Sequence, residues 1–303
     1  MAGHQFYQIK FQTGNDLLPE NPVVRHMEIN DDFYKMIKIE NLDLPELEVY
    51  KQRNEVRLLR INEPAEGIFI CESAKVIRRA LDAGYEAISI LTSVDKPDGE
   101  IKKIYEECKN IPIYLGGDEV LKNLAGYALT GGVLAAMRRK PLPELEEIIK
   151  GKSRIAVMEN VQNPSNVGSI FRSAAAMGIE ALILTFDSSD PLYRRSERVS
   201  MGTVFQIPWT KINKDTDYLK VLSDNGFASV AMALSDDSVS IDDPRIKQER
   251  KIAIILGNEG YGLKEETIKR SDYVAKIPMN PIVDSLNVGA ASAVMFWELS
   301  KSE

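Results

Sequence analysis

Short apolar runs alternate along most of the chain with segments whose apolar residues recur every three to four positions. Runs of four to six apolar residues bounded by turn formers read as buried strands, and the longer recurrence reads as amphipathic helix. In the first part, residues 67–71 (GIFIC), 87–91, 111–115 and 132–136 are the expected strands. Helices are expected over 73–84, 101–109 and 120–128, with Ser73 as the N-cap of the first. Residues 51–60 (KQRNEVRLLR) read as one more helix, rich in arginine. Strands alternating with helices over this length predict a small three-layer α/β domain. Residues 1–30 show no clear period and read as an N-terminal extension.

The prolines of Lys140-Pro141-Leu142-Pro143-Glu144 interrupt regular structure and mark a boundary between domains at 31–140 and 145–303. A short helix over 145–150 leads into the second domain. Strands follow at 155–158 (IAVM), 181–184, within 199–207, at 227–233 and at the start of 251–263, with a short one near 275. Continuous apolar strands of this kind are buried on both faces, which predicts a largely parallel, Rossmann-like sheet covered by helices. Helices are expected after residue 165, over 219–225 and over 288–299.

Three turns in this second domain place polar residues directly after an apolar strand. Residues 159–178 (ENVQNPSNVGSIFRSAAAMG) carry Asn166, Gly168 and Arg172. Asn163-Pro164-Ser165 is turn chemistry, with Ser165 or Asn166 as the helix N-cap. Arg172 then lies one to two turns into the helix, near the carboxyl end of a strand, where open α/β sheets bind ligands. Residues 251–263 (KIAIILGNEGYGL) end in a Gly-rich turn bearing Glu259. Residues 275–298 carry Ser285 and Asn287 ahead of a helix rich in small residues. Singly, these read as a surface ion pair, a helix-entry turn and a cap; three in order in one domain point to a shared site.

Together the three segments resemble the SpoU (TrmH-type) RNA 2'-O-ribose methyltransferases of the SPOUT class, over about the last half of the chain. The N-x-G-x-x-x-R of the first motif is matched by Asn166, Gly168 and Arg172. The Gly-x-Glu turn of the second is matched by Gly257, Asn258 and Glu259. Ile277-Pro278 and Ser285-Leu286-Asn287 match the third, although Pro281-Ile282-Val283 stands where that motif often has glycine. The resemblance implies a trefoil knot, S-adenosylmethionine as methyl donor and a homodimer, for which the small residues and aromatic end of the last helix suit an interface. It implies that Arg172 assists deprotonation of the ribose hydroxyl or polarises it. Asn166 would position Arg172 or the cofactor, Glu259 would pair with Arg172 or receive the ribose, and Ser285 and Asn287 would hydrogen-bond RNA. Gly257, Ile277 and Leu286 are the implied cofactor contacts, with Gly202 helping to shape the region. The first domain is similar to the L30e-like domains that precede SpoU catalytic domains, which implies a grip on structured RNA. Ribosomal RNA is then the expected substrate. Transfer RNA is the alternative, and a noncatalytic RNA-binding or assembly protein on the same fold is the alternative class. The presence of both Asn166 and Arg172 favours the enzyme.

Composition adjusts this picture in a few places. At 303 residues the chain can hold two domains with cores. Its two histidines, His4 and His26, precede the first expected element, which removes histidine acid–base chemistry and a His-rich metal site. Cys71 and Cys108 form no CxxC and suit a reducing cytoplasm. The formal charge of −7 is unlike the basic face expected of an RNA enzyme. Phosphate binding depends on local clusters instead. Four exist: Arg53, Arg57 and Arg60; Lys75, Arg78 and Arg79; Arg138, Arg139 and Lys140; Arg194, Arg195 and Arg198. No run approaches the ~20 apolar residues that span a bilayer. The start of the chain lacks a signal pattern, so no membrane partner is expected. GNEGYG comes too late in the chain, and lacks the downstream acidic partner, to be a dinucleotide fingerprint.

Overall fold

Two units divide the chain, Met1–Pro141 and Leu142–Glu303. A computed structural model describes residues 36–39, 43–51, 55–60, 67–125, 132–235, 237–280, 282 and 285–300. His4, His26, Arg53, Pro281, Val283 and the 1–30 segment lie outside the described residues.

In the first unit, β1 (Met36–Lys38), β2 (Ile68–Glu72), β3 (Ala87–Thr92), β4 (Ile113–Leu115) and β5 (Val133–Arg138) form one sheet in the order β1-β4-β3-β5-β2. β1, β4 and β3 run parallel, while β5 is antiparallel to both of its neighbours. Alternation along β5 feeds two faces. Leu134 and Ala136 join Leu47, Tyr50 and Leu121 in one core. Helix Ala74–Asp82 packs on β2 and β5 beside helix Gly99–Glu107, whose Tyr105 hydroxyl donates to Thr92 Oγ1 at 2.7 Å. The unit is thus a three-layer α/β arrangement around a mixed sheet.

Several local expectations need correction. Ser73 precedes its helix, but its φ is +80° and its side chain makes no capping bond. Of the expected 51–60 helix, Lys51 ends helix Glu48–Lys51 and residues 55–60 form helix Glu55–Arg60, while residues 52–54 lie outside the described residues. Two of the basic groups are engaged within the fold. Arg78 bonds Glu107 and Asp82, and Lys140 donates to the Ala83 carbonyl.

The second unit holds β6 (Arg154–Met158), β7 (Ala181–Leu184), β8 (Trp209–Lys211), β9 (Ala228–Met232), β10 (Val239–Ser240), β11 (Ile252–Leu256) and β12 (Tyr273–Lys276). Their order is β10-β12-β9-β11-β6-β7-β8, and every pairing is parallel. β6, β7 and β11 are almost wholly buried, as their continuous apolar runs require. From β6 the chain moves to β7 on one side and later returns to β11 on the other. That reversal creates a crevice at the carboxyl ends of the strands. Leu256 lies opposite Met158, so the turns after β6 and β11 leave the sheet at the same level.

The expected strand within 199–207 is absent. Helix Arg194–Val199 ends there, Gly202 adopts φ +81°, and Thr203–Phe205 coils as a 3-10 turn. The apolar residues Val204, Phe205 and Ile207 are buried nonetheless, through packing against helix Pro164–Ala176 rather than through a sheet. Burial alone does not specify a strand.

Candidate active site

Helix Pro164–Ala176 carries the first motif. Asn163, not Ser165 or Asn166, is its N-cap: the Asn163 side chain accepts from Ser165 N at 2.9 Å, and Pro164 takes the first helical position. Arg172 therefore sits about two turns in. Gly168 allows a close approach to helix Arg194–Val199, since a Cβ there would lie 2.5 Å from the Ser196 carbonyl oxygen. The last helix, Val288–Ser300, packs on the same helix as well, where a Cβ at Gly289 would lie 3.0 Å from Ser169 Cβ.

Asn166 is buried and its amide is held at both ends. Its Nδ2 donates to Glu259 Oε1 at 2.5 Å, and its Oδ1 accepts from Asn287 Nδ2 at 3.0 Å. Asn287 Oδ1 in turn accepts from Gly289 N at 3.0 Å and caps the last helix. One residue from each of the three motifs thus joins a single hydrogen-bonded row. Arg172 is outside that row. It is exposed and has no hydrogen bond or ion pair among the described residues, so the expected pairing of Glu259 with Arg172 gives way to Glu259 with Asn166.

Beside the row lies a cleft of about 350 Å³ at the carboxyl ends of β9, β11 and β12. Gly257, Glu259, Ile277, Ser285 and Leu286 all line it; Gly202 does not. The turn 257–263 forms one wall and is tightly closed. Asn258 and Gly262 exchange backbone hydrogen bonds of 3.0 Å, and Asn258 Oδ1 accepts from Gly260 N and Tyr261 N. Asn258 Nδ2 reaches across to the Asn160 carbonyl at 2.8 Å. Among the described residues, no group of three or more His, Cys, Asp or Glu side chains could hold a metal ion.

Sequence reasoning passed over Met232, Ala233 and Leu234, the last residue of β9 and the two that follow it, which also line the cleft. Position after a parallel strand was the available signal. It also assigned no role to Glu159, which is 2% exposed. Glu159 Oε1 accepts from Lys264 N at 2.9 Å, and Oε2 accepts from the Tyr218 and Thr267 hydroxyls, each at 2.7 Å. Burial, together with the bond to Glu159, pushes the Tyr218 phenol far above its ordinary range, so it remains a donor. This carboxylate ties the end of the 257–263 turn to the strand beneath it. Glu159→Ala leaves two buried hydroxyl donors and the part-buried Lys264 N without an acceptor and is expected to destabilise the unit by at least about 2 kcal/mol. Urea unfolding measures this; a loss under about 1 kcal/mol would mean that water replaces the carboxylate.

Residues 153–297 match the SpoU rRNA Methylase family. An uncharacterized tRNA/rRNA methyltransferase of Mycobacterium bovis is 30% identical over 264 residues, covering 86% of this chain and 90% of that protein. The chain belongs to the SpoU rRNA methylase family. It is an RNA methyltransferase of the SpoU/TrmH type. The chain is also similar to the 23S rRNA (guanosine-2'-O-)-methyltransferase RlmB of Acinetobacter baylyi, 26% identical over 70% of this chain and 88% of that one. Its fold is similar to that of the AdoMet-bound rRNA methyltransferase from Sinorhizobium meliloti, with a TM-score of 0.72 at 23% identity over 86% of this chain and 96% of that one. The described SpoU segment contains all three motif turns, and both the hydrogen-bonded row and the cleft fall inside it. Among the described residues no helix is long and apolar enough to cross a membrane.

Proposed function

We propose that this SpoU protein transfers the methyl group of S-adenosylmethionine to a ribose 2'-hydroxyl of RNA, with ribosomal RNA as substrate. The observation that carries this reading is the row Asn287–Asn166–Glu259 beside the cleft, with Arg172, which has no partner among the described residues, on the same helix as Asn166. The cleft's size falls within the usual range for small-molecule sites, and its apolar wall of Leu256, Ile277, Leu286 and Val288 suits an adenine. Gly257, Ile277 and Leu286 would hold the cofactor, which when bound supplies a methyl group activated by its sulfonium. Asn166 orients Glu259 and Asn287 without adding charge of its own. Arg172 contributes positive charge and a planar fork of donors beside the 2'-oxygen. That charge would stabilise the oxygen as its proton passes to solvent water and the new O–CH3 bond replaces the donor's S–CH3 bond, the demethylated thioether leaving. Ser285 and Asn287, both exposed, offer neutral hydrogen bonds to RNA.

The 2'-O position and the ribosomal substrate are supported by the name of the Acinetobacter relative. The three-layer first unit supports an L30e-like RNA-holding role for residues 31–140, with 145–303 as the catalytic domain. A trefoil knot is supported by the path after β12. That strand is three positions from β6 in the sheet, yet the helix that follows packs on the helix after β6. The chain's two cysteines, both buried and forming no CxxC, accord with a cytoplasmic location.

Calorimetry with S-adenosylmethionine and tritiated-methyl transfer to unmodified ribosomal and transfer RNA test the reading. Cofactor binding and 2'-O-methyl product in ribosomal RNA are expected. Product only in transfer RNA would change the substrate. No binding and no product would leave a noncatalytic RNA-binding protein.

The homodimer is supported by the outer face of the last helix, where Ala290, Val294 and Trp297 are exposed at i, i+4 and i+7. Such a stripe is suited to burial between two copies. Light scattering at micromolar concentration is expected to give twice the chain mass of 33.9 kDa. A single chain mass removes the dimer.

A further inference from the structure

Tyr261 is the most exposed large apolar side chain among the described residues, at 92%. Its hydroxyl has no hydrogen bond among them. The backbone that carries it is nonetheless firmly held. Asn258 Oδ1 accepts from Tyr261 N at 3.1 Å and from Gly260 N at 2.8 Å, and the Asn258–Gly262 pair closes the turn from both sides. A mobile loop can fold an aromatic ring back onto the protein; this turn keeps the ring in solvent at the mouth of the cleft. Two more large apolar side chains of the cleft lining, Leu234 and Leu286, are also exposed there.

We propose that the Tyr261 ring is a stacking platform for an unpaired nucleobase of the RNA substrate, adjacent to the ribose presented to the cleft. The inference rests on the methyl-transfer reading of the same site. With the backbone already held, the ring has only its side-chain torsions left to order when a base settles on it. Bases splayed out of a strand are characteristically held on aromatic faces, and stacking tolerates any base because each has a π-face. The cofactor's adenine is a poorer match, because the apolar lining of Leu256, Ile277 and Val288 lies deeper in the cleft than this exposed ring. A second copy of the chain is better served by the apolar stripe on the last helix.

The test uses Tyr261→Ala, Tyr261→Phe and Tyr261→Trp in the full chain. Three quantities are read: anisotropy of a fluorescein-labelled single-stranded oligoribonucleotide, RNA half-saturation in methyl transfer, and S-adenosylmethionine affinity by calorimetry. Tyr261→Ala is expected to weaken oligonucleotide binding and raise RNA half-saturation by about five- to a hundredfold, the effect of one stacked base. Cofactor affinity should stay within about twofold, and Phe and Trp should stay close to wild type because they keep the ring. The proposal is overturned if Ala binds RNA as wild type does, or if Phe is as weak as Ala. It is equally overturned if cofactor affinity falls in parallel, or if Ala converts a dimer to a monomer. Should the wild-type protein methylate no RNA, the functional reading fails, and the oligonucleotide arm alone still decides the stacking.

Discussion

Arg172→Ala is expected to lower methyl transfer at saturating RNA by at least about 10²- to 10³-fold, the scale seen when one donor to a developing oxyanion is removed. Its thermal transition and its affinity for S-adenosylmethionine should remain near wild type. Arg172 is exposed and has no partner among the described residues, so its removal breaks no hydrogen bond or ion pair there. Exposed substitutions of that kind usually change stability by less than about 0.5 kcal/mol. Arg172 is also absent from the cleft lining. Loss of turnover without loss of cofactor affinity is the signature of a contact made in the transition state. Arg172→Lys should fail substantially too, because it keeps the charge but not the planar fork. Single-turnover methyl transfer, calorimetry and a melting curve separate the outcomes. A near wild-type rate would strike Arg172 from the site. A loss that merely follows a lowered melting transition would give this arginine a structural role.

The opposite signature is expected of Gly257→Ala. A Cβ at this position would lie 2.6 Å from the Gly262 carbonyl carbon and 2.7 Å from Leu263 N. Both are backbone atoms, so no side chain can swing aside. Nor can the turn easily open, since Asn258 is tied to Asn160 and Lys264 N to the buried Glu159. Overpacking of this sort costs about 1–3 kcal/mol. If that strain appears as a distorted cleft wall, S-adenosylmethionine affinity falls about five- to a hundredfold. Gly260→Ala serves as the control, because a Cβ there meets only Asn258 Oδ1 at 3.5 Å, an ordinary contact. Equal cofactor affinity in Gly257→Ala and wild type, by calorimetry, would show that this turn does not shape the cofactor cleft.

The parts of the fold legible in the sequence were those where one physical cause dominates. β6, β7 and β11 read as strands because strands covered on both faces must be continuously apolar, and they are nearly wholly buried. The last helix was readable from its small residues, and Gly289 shows why one of them is there. Where two causes compete, the reading slipped. The apolar residues of 199–207 are buried as expected, yet Gly202 at φ +81° and the Ser200 hydroxyl accepting Gly202 N turn the chain into a 3-10 coil. The N-cap fell on Asn163 because Pro164 fills the first helical position without needing a donor.

By itself, the sequence determined which residue types stand after which strands: Asn166 and Arg172 after β6, Glu259 after β11, Ser285 and Asn287 after β12. Local pattern suffices for that, since strand burial and turn chemistry act over a few residues. Only the tertiary structure decided which of them meet. Asn166 contacts Glu259 across 93 residues and Asn287 across 121, because parallel strands bring their carboxyl ends to one edge of the sheet. The same packing buried Glu159 under the Gly-rich turn, left Arg172 without a partner among the described residues and held Tyr261 in solvent. Periodicity records that a residue is covered, but the partner that covers it comes from a distant part of the chain.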